Sequence, residues 1–157
     1  MGAMILAGTL SACGFHLRGE VSYAFTSLYV SAAATAPLTG ELKRALENGG
    51  VKLVGAADAG EAILDVGNVS DDKTVLSLSS GGRVREYQLI KRVTMALHDT
   101  NGRDWLPASE NVIRRTYTFN ESEVLAREAQ ETRMLREMQT DVVQQIVRRL
   151  QAAKKPG

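Results

Sequence analysis

Hydrophobic and polar positions change period several times along this chain, and each change marks an element. From Thr26 to Ala33, Leu28 and Val30 alternate with polar or small neighbours, the period of a half-buried strand. Pro37 then opens a stretch in which Leu38, Leu42, Ala45 and Leu46 recur at helical spacing, and Asn48-Gly49-Gly50 ends it. Proline suits the first turn because its missing N–H has no acceptor there, and glycine suits the stop because it enters the left-handed region without a Cβ clash. Val51 to Val54 is extended again, so strand, helix, strand predicts two parallel strands joined by a right-handed crossover.

After the small-residue loop Ala56–Gly60, Ala62–Val69 and Thr74–Leu78 read as two strand pieces separated by the polar run Ser70-Asp71-Asp72-Lys73. Ser79-Ser80-Gly81-Gly82 is the strongest turn signal in the chain. Val84–His98 is one long strand with Tyr87, Leu89, Val93, Met95 and Leu97 on one side. Lys91 falls on that same side, which predicts that the strand is covered over only part of its length. Asp99-Thr100-Asn101-Gly102 makes a hairpin turn, and Trp105–Phe119 returns as the partner.

The last third is helical. Asn120 with Glu123 forms a capping-box variant, and Leu135, Met138, Val142, Val143, Ile146, Val147 and Leu150 draw one apolar stripe that packs on the sheet. Arg127–Glu131 and Arg133–Glu137 stand four apart on the charged face. The acids on that face, Glu128 and Asp141 among them, argue against a helix lying on anionic lipid. Lys154–Gly157 reads as a frayed tail. The whole is an α+β domain: a βαβ unit, antiparallel strands, then a long helix.

Composition narrows the task without naming it. With 157 residues the chain fits one domain, and 19 basic against 18 acidic residues lack the basic excess of a nucleic-acid binder. One cysteine excludes a disulfide framework or a Cys-rich zinc module. The two histidines, His16 and His98, have no partner at metal-ligand spacing, so neither a metal nor another cofactor is expected. There is no Gly-x-Ser-x-Gly elbow, and Gly81-Gly82 is not followed by Gly-Lys-Ser/Thr. Asp71-Asp72 and Asp58/Glu61 read as solvated loop acids, so no enzyme is expected.

Two features remain. Met1–Cys13 is small, apolar and uncharged, and its apolar run is far short of the ~20 residues that cross a bilayer. Leu10-Ser11-Ala12-Cys13 resembles the bacterial lipobox, in which small side chains let a signal peptidase grip the backbone and the cysteine sulfur takes the lipid. On that reading residues 1–12 are the remnant of a signal peptide, and 13–157 form a single domain anchored through acyl chains, palmitate included, on Cys13. One chain anchors only marginally, so firm attachment needs several. The second feature is Arg83, Arg85, Lys91 and Arg92 around the glycine turn and the strand after it. Such residues either keep exposed strands soluble or bind phosphate groups, for which arginine is geometrically suited.

Cys13-Gly14-Phe15-His16-Leu17-Arg18-Gly19 resembles the mature start of the LptE (RlpB) family of outer-membrane lipopolysaccharide-assembly lipoproteins. Glu86-Tyr87-Gln88-Leu89, after a glycine turn, resembles the family's E-Y-Q-hydrophobic strand start, and the order of elements agrees from Cys13 to about Leu150. The resemblance implies a sandwich of two helices on a mainly four-stranded mixed sheet. It also implies a plug inside the large β-barrel LptD, support for the barrel's assembly, and binding of lipopolysaccharide for delivery to the outer leaflet. Gly14 is compatible with sorting to the outer membrane, with the protein lipid-anchored on the periplasmic side. Lipopolysaccharide contacts in the family are attributed to basic residues near the glycine turn and at the start of the last helix. Arg127 matches the helix position; Ser80 stands where some members carry a basic residue, and Arg83 or Arg85 would replace it, with Lys91 and Arg92 nearby. The alternative is a free-standing periplasmic lipoprotein binding another envelope component, which would need no partner barrel.

Overall fold

A computed structural model describes residues 22–33, 36–118 and 124–157 of the protein. Five strands form one mixed sheet in the order β2-β1-β3-β4-β5. They are β1 (Ser27–Ser31), β2 (Lys52–Val54), β3 (Ala62–Leu78), β4 (Val84–His98) and β5 (Asp104–Thr118). Helix α1 (Pro37–Asn48) joins β1 to β2, and α2 (Val124–Ala152) closes the chain. The sheet has five strands where a mainly four-stranded one was expected; the fifth, β2, is only three residues long and lies at an edge.

Strand β1 pairs parallel with β2, as the strand-helix-strand pattern predicts, but it also pairs parallel with β3. β3, β4 and β5 then run antiparallel. Both helices cover one face. Leu38, Leu42 and Leu46 of α1 and Val142, Val143, Ile146 and Leu150 of α2 meet Leu28, Val30, Leu64, Val66, Val93, Met95 and Leu97 of the sheet in one core. The alternation in each strand and the stripe in each helix therefore do what their periods predict. Glu41 of α1 ties the helices together, accepting from Gln139 Nε2 and Thr140 Oγ1, both at 2.7 Å.

Helix α1 starts without a side-chain cap, at Ala36, with Pro37 in its first turn. It stops at Gly49, and Gly50 takes φ +84°. Three sequence expectations change. The polar run Ser70–Lys73 does not break a strand: β3 is continuous from Ala62 to Leu78, with a register shift between Gly67 and Ser70. Asp71 and Asp72 sit in the ladder opposite Lys91 and Ile90, so the run is polar because it forms cross-strand ion pairs. The tail is anchored rather than frayed: Ala153 is buried, and Lys155 Nζ lies 3.2 Å from Glu61 Oε1 and 5.9 Å from the Trp105 ring.

Residues 1–12, Cys13, the Cys13–Gly19 run, Phe119 and the Asn120/Glu123 cap lie outside the described residues. No described helix is long and apolar enough to cross a membrane.

Candidate functional site

The chemistry collects at the end of the sheet that carries the β3–β4 turn. There Ser79 and Arg83 close the hairpin: the Arg83 carbonyl accepts from Ser79 N–H at 2.7 Å, and the Ser79 hydroxyl accepts from Arg83 N–H at 3.2 Å. Gly82 takes φ +75°, a conformation that a side chain would strain. The turn fixes the backbone from which Arg83 and Arg85 project, and both are exposed. At the same end Glu86 pairs with Thr118, the last residue of β5, and α2 begins six residues later. Arg127 is the fourth residue of α2, so the topology brings the turn and the helix start to one end of the sheet.

Lys91 and Arg92 do not join them. Both lie six or more residues from Arg85 along β4, about 20 Å away at 3.3 Å per residue. Lys91 is 3% exposed on the helix-covered face, its Nζ 2.5 Å from Asp71 Oδ1. Arg92, on the open face, is engaged by Asp72. The expected partial covering of β4 is also revised. Beyond Lys91 the helix face is buried again by a second, smaller core of Leu89, Tyr117 and Met138, flanked by Tyr87, Ile113, Met134 and Leu135. Lys91 and Asp71 are thus a polar belt between two cores.

A group that no local motif announced sits between the turn and α2. Lys73 Nζ lies 2.5 Å from Glu131 Oε2 and 4.5 Å from the centre of the Tyr87 ring, while Tyr117 donates its hydroxyl to the same carboxylate oxygen at 2.7 Å. Tyr87 and Tyr117 stack with centroids 5.8 Å apart. Burial opposes the charge on Lys73, but the bonds to Glu131 and Tyr117 outweigh it and hold its pKa above the usual lysine value. Burial raises the Tyr117 hydroxyl in turn. Lys73, Glu128, Glu131, Thr132 and Leu135 line an open cleft of about 410 Å³. The one signal that pointed here was the alternation Asp71, Lys73, Val75, which continues β3 through its polar run.

Away from this end, His98 on the open face sits 2.9 Å from Asp65 Oδ2, and its Nδ1 lies 2.9 Å from the Asp99 carbonyl. Among the described residues no group of three or more His, Cys, Asp or Glu side chains is placed to hold a metal. Glu61, read above as a solvated loop acid, accepts from Thr26 N–H at 3.0 Å and is held below the usual carboxylate value by that bond and by Lys155. The arrangement offers exposed arginines on a rigid turn and an open cleft beside a helix start, a surface for binding rather than for bond-making.

The family model LptE, lipopolysaccharide-assembly, matches residues 25–150. The LPS-assembly lipoprotein LptE of Pectobacterium atrosepticum is 30% identical over 154 residues, covering 96% of this chain and 80% of that protein. The solution structure of an uncharacterized lipoprotein B from Nitrosomonas europaea superposes with a TM-score of 0.78 at 35% identity, covering 88% of this chain and 91% of that one. The crystal structure of rare lipoprotein B from Shewanella oneidensis gives 0.72 at 26% identity, covering 80% of this chain and 94% of that one.

Proposed function

The chain belongs to the LptE family of non-enzymatic lipopolysaccharide-assembly lipoproteins, and from that membership we propose that it acts as the plug of the LptD β-barrel and binds lipopolysaccharide at its turn end. In this reading Cys13 carries the lipid anchor and holds the domain at the periplasmic side of the outer membrane, inside its partner barrel. The observation that carries the reading is the family match over nearly the whole described domain, joined to a turn end that presents Arg83 and Arg85 close to the start of α2. Arginine forks bind phosphate oxygens two at a time, so a phosphorylated lipid fits that end better than a neutral one.

The contact set narrows to Arg83, Arg85 and Arg127. Lys91 is buried against Asp71 and Arg92 is committed to Asp72 away from the turn, so neither belongs to it. The rest of the sheet and both helices serve as the rigid body that aims the turn. The test is purification of the acylated full-length protein from outer membranes in mild detergent. A stoichiometric large β-barrel together with lipopolysaccharide is expected. Recovery of the lipoprotein alone would replace the plug with a free-standing lipoprotein bound to some other envelope component.

A further inference from the structure

One edge of the sheet is left without a neighbouring strand along most of its length. β1 lies beside β3 only from Ala62 to Asp65, and no described strand flanks Val66–Leu78 on that side. The other edges are guarded: β2 is three residues long, and β5 carries Pro107, Glu110, Arg114 and Arg115. The open part of β3 has no proline; it carries the irregularity between Gly67 and Ser70 and the charges Asp71, Asp72 and Lys73, each of which is paired within the chain. All four exposed large hydrophobics among the described residues, Val69, Val75, Leu76 and Leu78, lie on it, at 44–57% exposure. An unpaired backbone edge and a concentration of exposed apolar side chains thus coincide on one segment.

The segment is complementary to itself. Asp71, Lys73 and Val75 point to the helix-covered face, since they lie opposite Lys91, Leu89 and Tyr87, and Val69 lines a hollow with Ala36 and Thr39 at the start of α1 on that face. In an antiparallel pair, directly opposite residues share a face, so a two-fold pairing requires partner numbers with an even sum. Centred on Asp72, that rule sets Val69 against Val75 of a second copy, Asp71 against its Lys73, and Ser70 against its Thr74. Apolar meets apolar and charge meets opposite charge on the same face. We propose that two copies of the free chain pair antiparallel along residues 68–76 of β3 about a two-fold axis at Asp72, extending the sheet across both.

β1 ends opposite Asp65, whereas a second strand in this register reaches only Asn68 with its Leu76. Asp71 and Lys73 keep 44% and 37% of their side chains exposed while bound within the chain, so each has a face left for the second copy. The two Asp72 carboxylates meet across the axis, each carrying the Arg92 guanidinium of its own chain. This inference concerns the chain before it meets any barrel and does not depend on the plug reading.

The test uses the full chain with Cys13→Ser, so that any introduced cysteine is the single thiol. Sedimentation equilibrium is expected to show a concentration-dependent dimer, and Asp72→Cys to form a symmetric disulfide dimer because opposed Cβ atoms lie about 5 Å apart. Asn101→Cys, in the β4–β5 turn at the other end of the sheet, is the control and should cross-link slowly. Val69→Lys with Val75→Lys should abolish the dimer while Trp105 fluorescence still reports the normal unfolding transition. A chain that stays monomeric, Asp72→Cys cross-linking no faster than Asn101→Cys, or a dimer indifferent to the two lysines would each overturn the proposal.

Discussion

The Lys91–Asp71 pair makes a quantitative prediction, because its two ends sit in different surroundings. The ammonium is 3% exposed between the two cores, and the carboxylate that neutralises it is 44% exposed at the β3 edge. Asp71→Asn would leave the ammonium buried beside a neutral amide. Removing one partner of a fully buried pair costs about 3–5 kcal/mol, and an exposed pair is worth about 0.2–1. With one end wet, the expected loss lies between these, about 2 kcal/mol, or a fall in Tm of roughly 5–8 °C for a domain of this size. Lys91→Met removes the charge and keeps most of the volume, so it should be neutral within about 0.5 kcal/mol or stabilising by about 1. The double variant should recover most of what Asp71→Asn loses, since no buried ammonium remains to be compensated. Urea unfolding followed by Trp105, the single tryptophan and itself buried, measures all three. If Lys91→Met loses more than Asp71→Asn, the pair holds the sheet together and the account of it as a compensated charge is refuted.

Other consequences are testable with the same protein. The His98 pKa is raised by the Asp99 carbonyl that accepts its Nδ1–H, with burial opposing and the Asp65 carboxylate adding to the rise. Its charged form is therefore favoured in the folded state, and that stability is complete below the unfolded value near 6.5 and lost as pH rises through the folded one. The stability gap between the wild type and His98→Gln, followed from pH 5 to 9, should close on the alkaline side; a gap that widens there contradicts the assignment. Leu64→Ala, at a fully buried site, should cost about 2–5 kcal/mol, whereas Leu76→Ala, half exposed on the open edge, should cost almost nothing. Gly102→Ala should cost about 1 kcal/mol from backbone strain alone, because φ is +79° and no atom lies within 4 Å of the added methyl. Reversing charge at Arg83, Arg85 and Arg127 together should weaken lipopolysaccharide binding roughly tenfold or more, at about 0.5–1 kcal/mol per solvent-screened ion pair, without moving the unfolding midpoint. Unaltered binding would leave the plug role without its ligand site.

What the sequence discloses here depends on whether a residue's environment is decided by its neighbours in the chain or by a strand far from it. The apolar stripes of α1 and α2 are local patterns, and they place Leu38, Leu42, Leu46, Val142, Ile146 and Leu150 correctly in the core. The Ser79–Gly82 turn is equally local, and it fixes where Arg83 and Arg85 stand. The run Ser70–Lys73 is different. Taken alone it resembles a loop, because its two acids are matched by Lys91 and Arg92 some twenty residues on, and only the β3–β4 register brings them opposite. The same register converts Lys91 and Arg92 from candidate ligand residues into internal counter-ions. Lys73, Tyr87, Tyr117 and Glu131 come from four elements, so no spacing in the chain could have assembled them. Nor does any local signal say that β3 inserts beside β1. A basic cluster read from sequence therefore has to be discounted for every cross-strand acid the register supplies. In this chain that discount removes the mid-strand pair Lys91 and Arg92 and leaves Arg83 and Arg85, exposed at the turn end of the β3–β4 hairpin.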